Sequence, residues 1–247
     1  MNNNTDKPII GILEWEASNN NALSQFGDIP GDIAHPNTFN FPVLYKRITG
    51  AYHETVIVKP STQVLEAMID TAKEMEKHAA IKAIMTNCGY NVIFQQELAN
   101  AVDIPVFSSS LLQIPLLHLM LRQGQKIGII AAYKEYLTKE HLKKVGVDGT
   151  VPVCILGLNN TEFSKIRAEP HLNIDVGKFE KEIVSLAKRL VDENHDVGAI
   201  ILECTDLPPF SAAIRRATGL PVFDIVTLAH TVYETIAGDR WGKLGTT

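Results

Sequence analysis

The sequence predicts an α/β protein of two pseudo-symmetric lobes, each a mainly parallel sheet flanked by helices, with the active site in the cleft between the lobes. Three observations carry this expectation. Short apolar runs rich in Val and Ile alternate along the chain with stretches of helical periodicity, the pattern of buried parallel strands joined by crossover helices. The second half then repeats the first: an offset of 116 carries Ala83 and Ile84 to Ala199 and Ile200, Cys88 to Cys204, Phe94 to Phe210, and Pro105–Phe107 to Pro221–Phe223. Finally, a cysteine falls at the end of the repeated strand in both halves.

The strands are expected at 8–13, 54–59, 81–86, 104–107, 126–131, 151–156, 197–202 and 220–225, each a short near-continuous apolar run. Between them, 62–78 places Val64, Leu65, Met68, Ile69, Ala72 and Met75 near one helical face. Helices are likewise expected at 91–101, 110–122, 136–145, 176–192, 208–217 and 227–237. Segments 14–50 and 157–175, rich in Asn, Pro, Gly and Asp, interrupt the rhythm and read as long loops, which in compact domains are often functional. "IGI" at 10–12 and 127–129 extends the repeat. The first lobe is expected to comprise 1–110 with about 220–247, and the second about 111–219; no Pro/Gly/Ser-rich tether separates them.

Composition narrows the function. With 45% hydrophobic and 21% charged residues this reads as an ordinary globular chain. A net charge of −5 and the lack of any Lys/Arg run argue against a nucleic-acid partner. Apolar runs no longer than a strand argue against a membrane span. The opening "MNNNTDKP" lacks the plan of a signal peptide and reads as a short disordered lead. Three widely spaced cysteines fit a reducing, cytoplasmic setting better than a disulfide framework. No His/Cys spacing suggests a metal site.

Cys88 and Cys204 each end a strand just ahead of a helix. In parallel sheets ligands bind beyond the carboxyl ends of the strands, and the free N–H groups of a helix start favour both a thiolate and a carboxylate ligand. Gly89 permits close backbone approach, and Asn87 and Thr205 offer short polar groups beside the thiols. Two lobes facing each other would present one thiol to each face of a small molecule, an arrangement suited to removing a proton from one face of a carbon and returning it to the other. Cys154, inside "VPVCIL", reads as a small buried hydrophobe.

"TNCGY" and "ECTDLPPF" resemble the two cysteine motifs of the aspartate/glutamate racemase superfamily, and the likeness extends over nearly the whole chain. The resemblance implies a cofactor-independent racemase or epimerase of a small amino-acid-like carboxylate, an isomerase using neither pyridoxal phosphate nor metal. Hydantoin racemisation and maleate-type cis–trans isomerisation are the alternatives within the same fold. It implies that Cys88 and Cys204 are the two acid/base thiols, and that Asn87 and Thr205 bind the carboxylate and amine side. Glu14, where glutamate racemases carry an aspartate, orients a thiol or meets the amine, and Asp206 occupies a position that varies between racemase types. "EWEAS" replaces the family's usual Asp-Ser-Gly after the first strand.

Trp15 either walls the pocket or packs between lobes. Tyr45 joins the substrate-binding set. Lys46 and Arg47 beside it, and Arg167 in the second loop, meet a second carboxylate or lie solvated. "LLQIPLLHLMLRQ" (111–123) is either a core helix or the face of a homodimer, and His118 within it and His230 read as structural.

Overall fold

The computed structural model describes residues 9–16, 24–169 and 171–237. The expected lead at 1–8 lies outside them.

The first half contains β1 (Ile10–Trp15), β2 (Val43–Ile48), α1 (Thr62–Glu76), β3 (Ala83–Thr86), α2 (Gln95–Ala101), β4 (Val106–Phe107) and α3 (Ile114–Met120). The second contains β5 (Lys126–Ala131), α4 (Lys139–Lys144), β6 (Val153–Gly157), α5 (Glu162–Ala168), α6 (Val176–Glu193), β7 (Val197–Leu202), α7 (Ser211–Thr218), β8 (Val222–Phe223) and α8 (Ile225–Ala237). They build two four-stranded parallel sheets, ordered β2-β1-β3-β4 and β6-β5-β7-β8, as the two-lobe α/β reading requires.

The sequence repeat is a repeat of register. Ile10 pairs with Ala83 and Ile84 with Val106 in one sheet; Ile127 pairs with Ala199 and Ile200 with Val222 in the other. The shared "IGI" has a packing reason. A Cβ on Gly11 would lie 2.7 Å from Sδ of Met75 on α1, and one on Gly128 would lie 2.3 Å from Cδ2 of Leu190 on α6. Each glycine lets the lobe's longest helix approach its central strand.

Two expected elements differ. Residues 54–58 form a short π-helical turn that buries Val56 and Ile57, whereas the strand lies at 43–48, inside the expected first loop. A five-residue apolar run does not separate strand from buried helical turn, and β2, an edge strand with Lys46 and Arg47 on it, lacks the continuous apolar run of a central strand. Tyr45 is therefore held on a sheet and not at a loop–helix junction. In the second expected loop, α5 is a seven-residue helix closed by a capping box between Thr161 and Ser164.

What is left of the first loop, residues 24–42, is a strap across both lobes. Phe26 is fully buried among second-lobe rings, 5.7 Å from Phe163 and 5.6 Å from Phe179. Gln25 bonds the second lobe twice, donating to Leu172 O and accepting from Ile174 N. At the other end Phe41 stacks on Tyr233 of α8 at 4.0 Å. Gly31, at φ +100°, passes so close to Pro209 that a Cβ would sit 3.1 Å from its Cα.

Although β8 belongs to the second sheet, α8 returns to the first. Ile225 and Ala229 pack with Ile10, Ile12, Ala83, Met85 and Phe107 on one face of that sheet. α3 buries Ile114 and Leu117 while leaving Leu116, Leu119 and Met120 exposed. Among the described residues no helix is long and apolar enough to cross a membrane.

Candidate active site

Strand order fixes where a site can form. In each sheet the chain turns opposite ways from the two central strands, β1 and β3 in one and β5 and β7 in the other, so a crevice opens beyond their carboxyl ends. The four strand ends deliver Glu14–Glu16, Asn87–Tyr90, Ala132–Tyr133 and Glu203–Asp206 to one cleft of about 600 Å³. All nine residues singled out from sequence line it: Glu14, Trp15, Tyr45, Asn87, Cys88, Gly89, Cys204, Thr205 and Asp206.

Several of them are engaged with the protein itself. Asn87 Oδ1 accepts from the backbone N–H of Trp15 at 3.0 Å. The Thr205 hydroxyl donates to the Asn87 carbonyl at 2.7 Å, tying the two cysteine loops together. A Cβ on Gly89 would lie 2.2 Å from the carbonyl oxygen of Glu203 and 2.3 Å from its Oε1, so glycine here lets the loops touch. Glu14 faces Arg47 at 3.8 Å.

Both thiols are held in the protonated form. Burial pushes Cys88 well above the ordinary thiol value, with the charge of Glu203 adding to it; the N–H groups of Tyr90 and Asn91 pull the other way. Cys204 is raised in the same way, by burial and then by Asp206 and Glu203. The helix-start stabilisation of a thiolate expected from sequence is present, but burial and neighbouring carboxyls outweigh it. Sγ of Cys204 donates to Oδ2 of Asp206 at 3.7 Å.

Two carboxyls, Glu203 and Asp206, act on the thiols, and a third, Asp32, faces Asp206; all are shifted upward by burial. Glu203 is pushed up to about 8, while its Oε2 accepts from Ala132 N–H and its Oε1 is buried without a partner. Asp32, brought in by the strap, is raised by burial and then by Asp206, whereas Asp206 is raised by burial and by Glu203 while its contacts with Cys204 and Asp32 pull it back, so of the facing pair Asp32 holds its proton more tightly.

Two clusters line the cleft. Asp32 and Glu14 act electrostatically on Tyr45, whose hydroxyl donates to the Ile33 carbonyl. The Arg167 guanidinium lies 5.9 Å over the Tyr133 ring, and His53 packs edge-on to the same ring at 5.1 Å. Asp206 feels both Asp32 and Arg167. Among the described lining residues Arg167 is the one Arg or Lys, set against Glu14, Glu16, Asp28, Asp32, Glu54, Glu203 and Asp206. Trp15 Nε1 and His53 Nε2 are buried there without hydrogen-bond partners, as is Asp32 Oδ2.

Sequence reasoning missed Asp32, Glu203, Tyr90, Tyr133 and His53 as lining residues. Glu203 had a signal: it precedes Cys204 and is the repeat counterpart of Asn87. Asp32 had none, since its approach depends on the course of the strap.

The model of the Asp/Glu/Hydantoin racemase family matches residues 43–232. The dimethylsulfoniopropionate lyase of Durusdinium sp. clade D is 34% identical over 208 residues, covering 81% of this chain and 68% of that protein. Dimethylsulfoniopropionate lyase 7 of Emiliania huxleyi (strain CCMP1516) is 32% identical, covering 91% of this chain and 66% of that protein. The chain thus spans about two thirds of these relatives. An aspartate racemase homologue from Pyrococcus horikoshii OT3 shares the fold, with a TM-score of 0.60 at 18% identity, covering 94% of this chain and 100% of that one. The expectation of an isomerase racemising an amino-acid-like carboxylate, with its hydantoin and maleate alternatives, is corrected by the lyase relatives: they carry a different reaction on the same scaffold. What two cysteine motifs and a duplicated parallel sheet establish is the scaffold, and this chain belongs to the Asp/Glu/Hydantoin racemase family.

Proposed function

We propose that this chain is a lyase that cleaves dimethylsulfoniopropionate by elimination. The observation that carries the reading is the mixed lining of the cleft. The substrate named by the relatives holds a carboxylate at one end and a sulfonium at the other, and the described lining offers one guanidinium, Arg167, together with a set of carboxyls and aromatic rings. A substrate with two carboxylates would leave one of them among acids.

Cys204 and Asp206 act electrostatically on Tyr133, and Arg167 acts on Asp206, so a carboxylate held by Arg167 would set its neighbouring carbon near the Cys204 thiol. Cys204 serves as base, and Asp206, in contact with its Sγ, is the nearest acceptor for the thiol's own proton. The thiolate takes a proton from C2, the C–H pair becomes the C2–C3 double bond, and the C3–S bond breaks with its pair leaving on sulfur. The products are acrylate and dimethyl sulfide. Elimination returns no proton to carbon, so it needs one base where racemisation needs two. Arg167 neutralises the carboxylate, which lowers the cost of building negative charge on C2.

The test is headspace gas chromatography for dimethyl sulfide, with proton NMR for the vinyl signals of acrylate, using purified protein and dimethylsulfoniopropionate. Equal release of both products supports the reading. Failure to release either at millimolar substrate overturns it.

A further inference from the structure

We infer that Asp32, on the strap at 24–42, determines specificity by supplying the countercharge for a compact onium group, a sulfonium or quaternary ammonium carried on a short carboxylate. The inference rests on the lyase reading for the identity of the natural ligand, and on the following geometry for the site.

Asp32 is 2% exposed and lines the cleft. Its Oδ1 accepts from Ala34 N–H at 2.8 Å, whereas Oδ2 is buried with no hydrogen-bond partner. Its strongest electrostatic neighbour is another acid, Asp206, which faces it and favours the protonated form of Asp32; among the described residues no cation offsets Asp32 itself. A cation seated beside the two acids would favour release of that proton, so the countercharge develops as the ligand binds. The completing group must be positive and must fit among rings; Tyr45 and Trp15 line the same cleft. An onium bears no N–H or O–H, so charge and aromatic faces are its natural means of recognition. Arg167, over the Tyr133 ring in the same cleft, then takes the carboxylate.

Asp32 is also firmly held. Phe26 and Gln25 fasten the strap to the second lobe six and seven residues before it, and Phe41 fastens it to α8 nine residues after it. Thr38 Oγ1 donates to the Asp32 carbonyl and accepts from Gly31 N–H, closing the turn around it. The strap precedes the family match at 43–232, so this acid comes from outside the matched pattern.

The experiment compares binding of two probes by calorimetry: 3-(trimethylammonio)propionate and its uncharged isostere 4,4-dimethylpentanoate. Wild type is expected to prefer the ammonium compound by about tenfold or more, equivalent to about 1.4 kcal/mol. Asp32→Asn, which keeps the acceptor for Ala34, is expected to bring the ratio to within about threefold, and Asp32→Glu to restore part of it. A wild type without the preference, or an Asn variant that keeps it, overturns the inference. Thermal unfolding of each variant is run alongside, and if Asp32→Asn does not fold, Asp32→Ser, which also removes the charge, decides: a ratio within about threefold supports the inference and a wild-type ratio overturns it. Dimethyl sulfide release is measured separately. A protein that releases none yet shows the Asp32-dependent preference leaves this inference standing while the lyase reading falls.

Discussion

The hydroxyl of Thr205 donates to the carbonyl of Asn87 at 2.7 Å, so the residue after one cysteine is bonded to the residue before the other. This bond joins strand ends from different sheets at the floor of the cleft. Thr205→Val keeps the shape and removes the donor from the half-buried Asn87 carbonyl. Stability should fall by about 1–2 kcal/mol and turnover should fall by about tenfold as the thiols lose their relative placement. Urea unfolding and dimethyl sulfide release measure the two effects, and an unchanged turnover would remove Thr205 from the positioning of the site.

Gly89 is where the loops touch. In Gly89→Ala the new methyl must displace backbone, because the nearest atom is the Glu203 carbonyl oxygen at 2.2 Å. A loss of about 2 kcal/mol or more is expected, together with near-complete loss of activity. Gly149, at φ +97° with open space around it, is a contrast: alanine there meets only backbone strain, of about 1 kcal/mol, and should leave turnover intact.

The two cysteines should not be equivalent. Cys204→Ala is expected to lower kcat by about a thousandfold. Cys88→Ala is expected to lower it by less than about tenfold, since elimination requires one base. Equal losses would point to a step that uses both thiols.

Protonation sets two opposite pH trends. With both thiols raised by burial, the rate should climb with pH through the neutral range, as the fraction of Cys204 thiolate grows. Stability should move the other way. Glu203 keeps its proton in the native protein up to about 8, whereas the unfolded chain releases it near 4.5. Its contribution is therefore full below that lower value and is lost as pH rises towards the higher one; Asp32 and Asp206, both raised chiefly by burial, act in the same direction. Glu203→Gln should flatten part of this decline, leaving the variant more stable than wild type at pH 8 by on the order of 2 kcal/mol. Chemical denaturation at pH 5 and pH 8 checks the sign.

Much of the fold was legible because duplication wrote it twice. Cys88 and Cys204 end equivalent strands, and the Pro-Val-Phe segments that become β4 and β8 pair in matching registers. Central strands such as β7, buried at every position, announce themselves as continuous apolar runs. β2 did not, because an edge strand carrying Lys46 and Arg47 looks like loop. The cysteine loops were legible as a site by strand-end position alone. Asp32 was not, since its burial depends on Phe26 and Phe41 anchoring a segment without regular periodicity. Nor could the sequence foresee that burial would override the helix-start effect on the thiols, which depends on how many carboxyls converge. The proposed reaction class was obscured for a related reason: on that reading a lyase, like a racemase, places a thiol beside an acidic C–H, and the difference lies in what leaves.

Helix α8 follows the last strand of the second sheet yet covers Ile10, Ile12, Ala83 and Met85 of the first. The half of the protein synthesised first is thus completed last. As the chain emerges from the ribosome, the second lobe has every strand and covering helix in place before the first receives its final layer. The first half of the duplication is therefore not an autonomous module, and a fragment ending after β4 would present an oily sheet face to water.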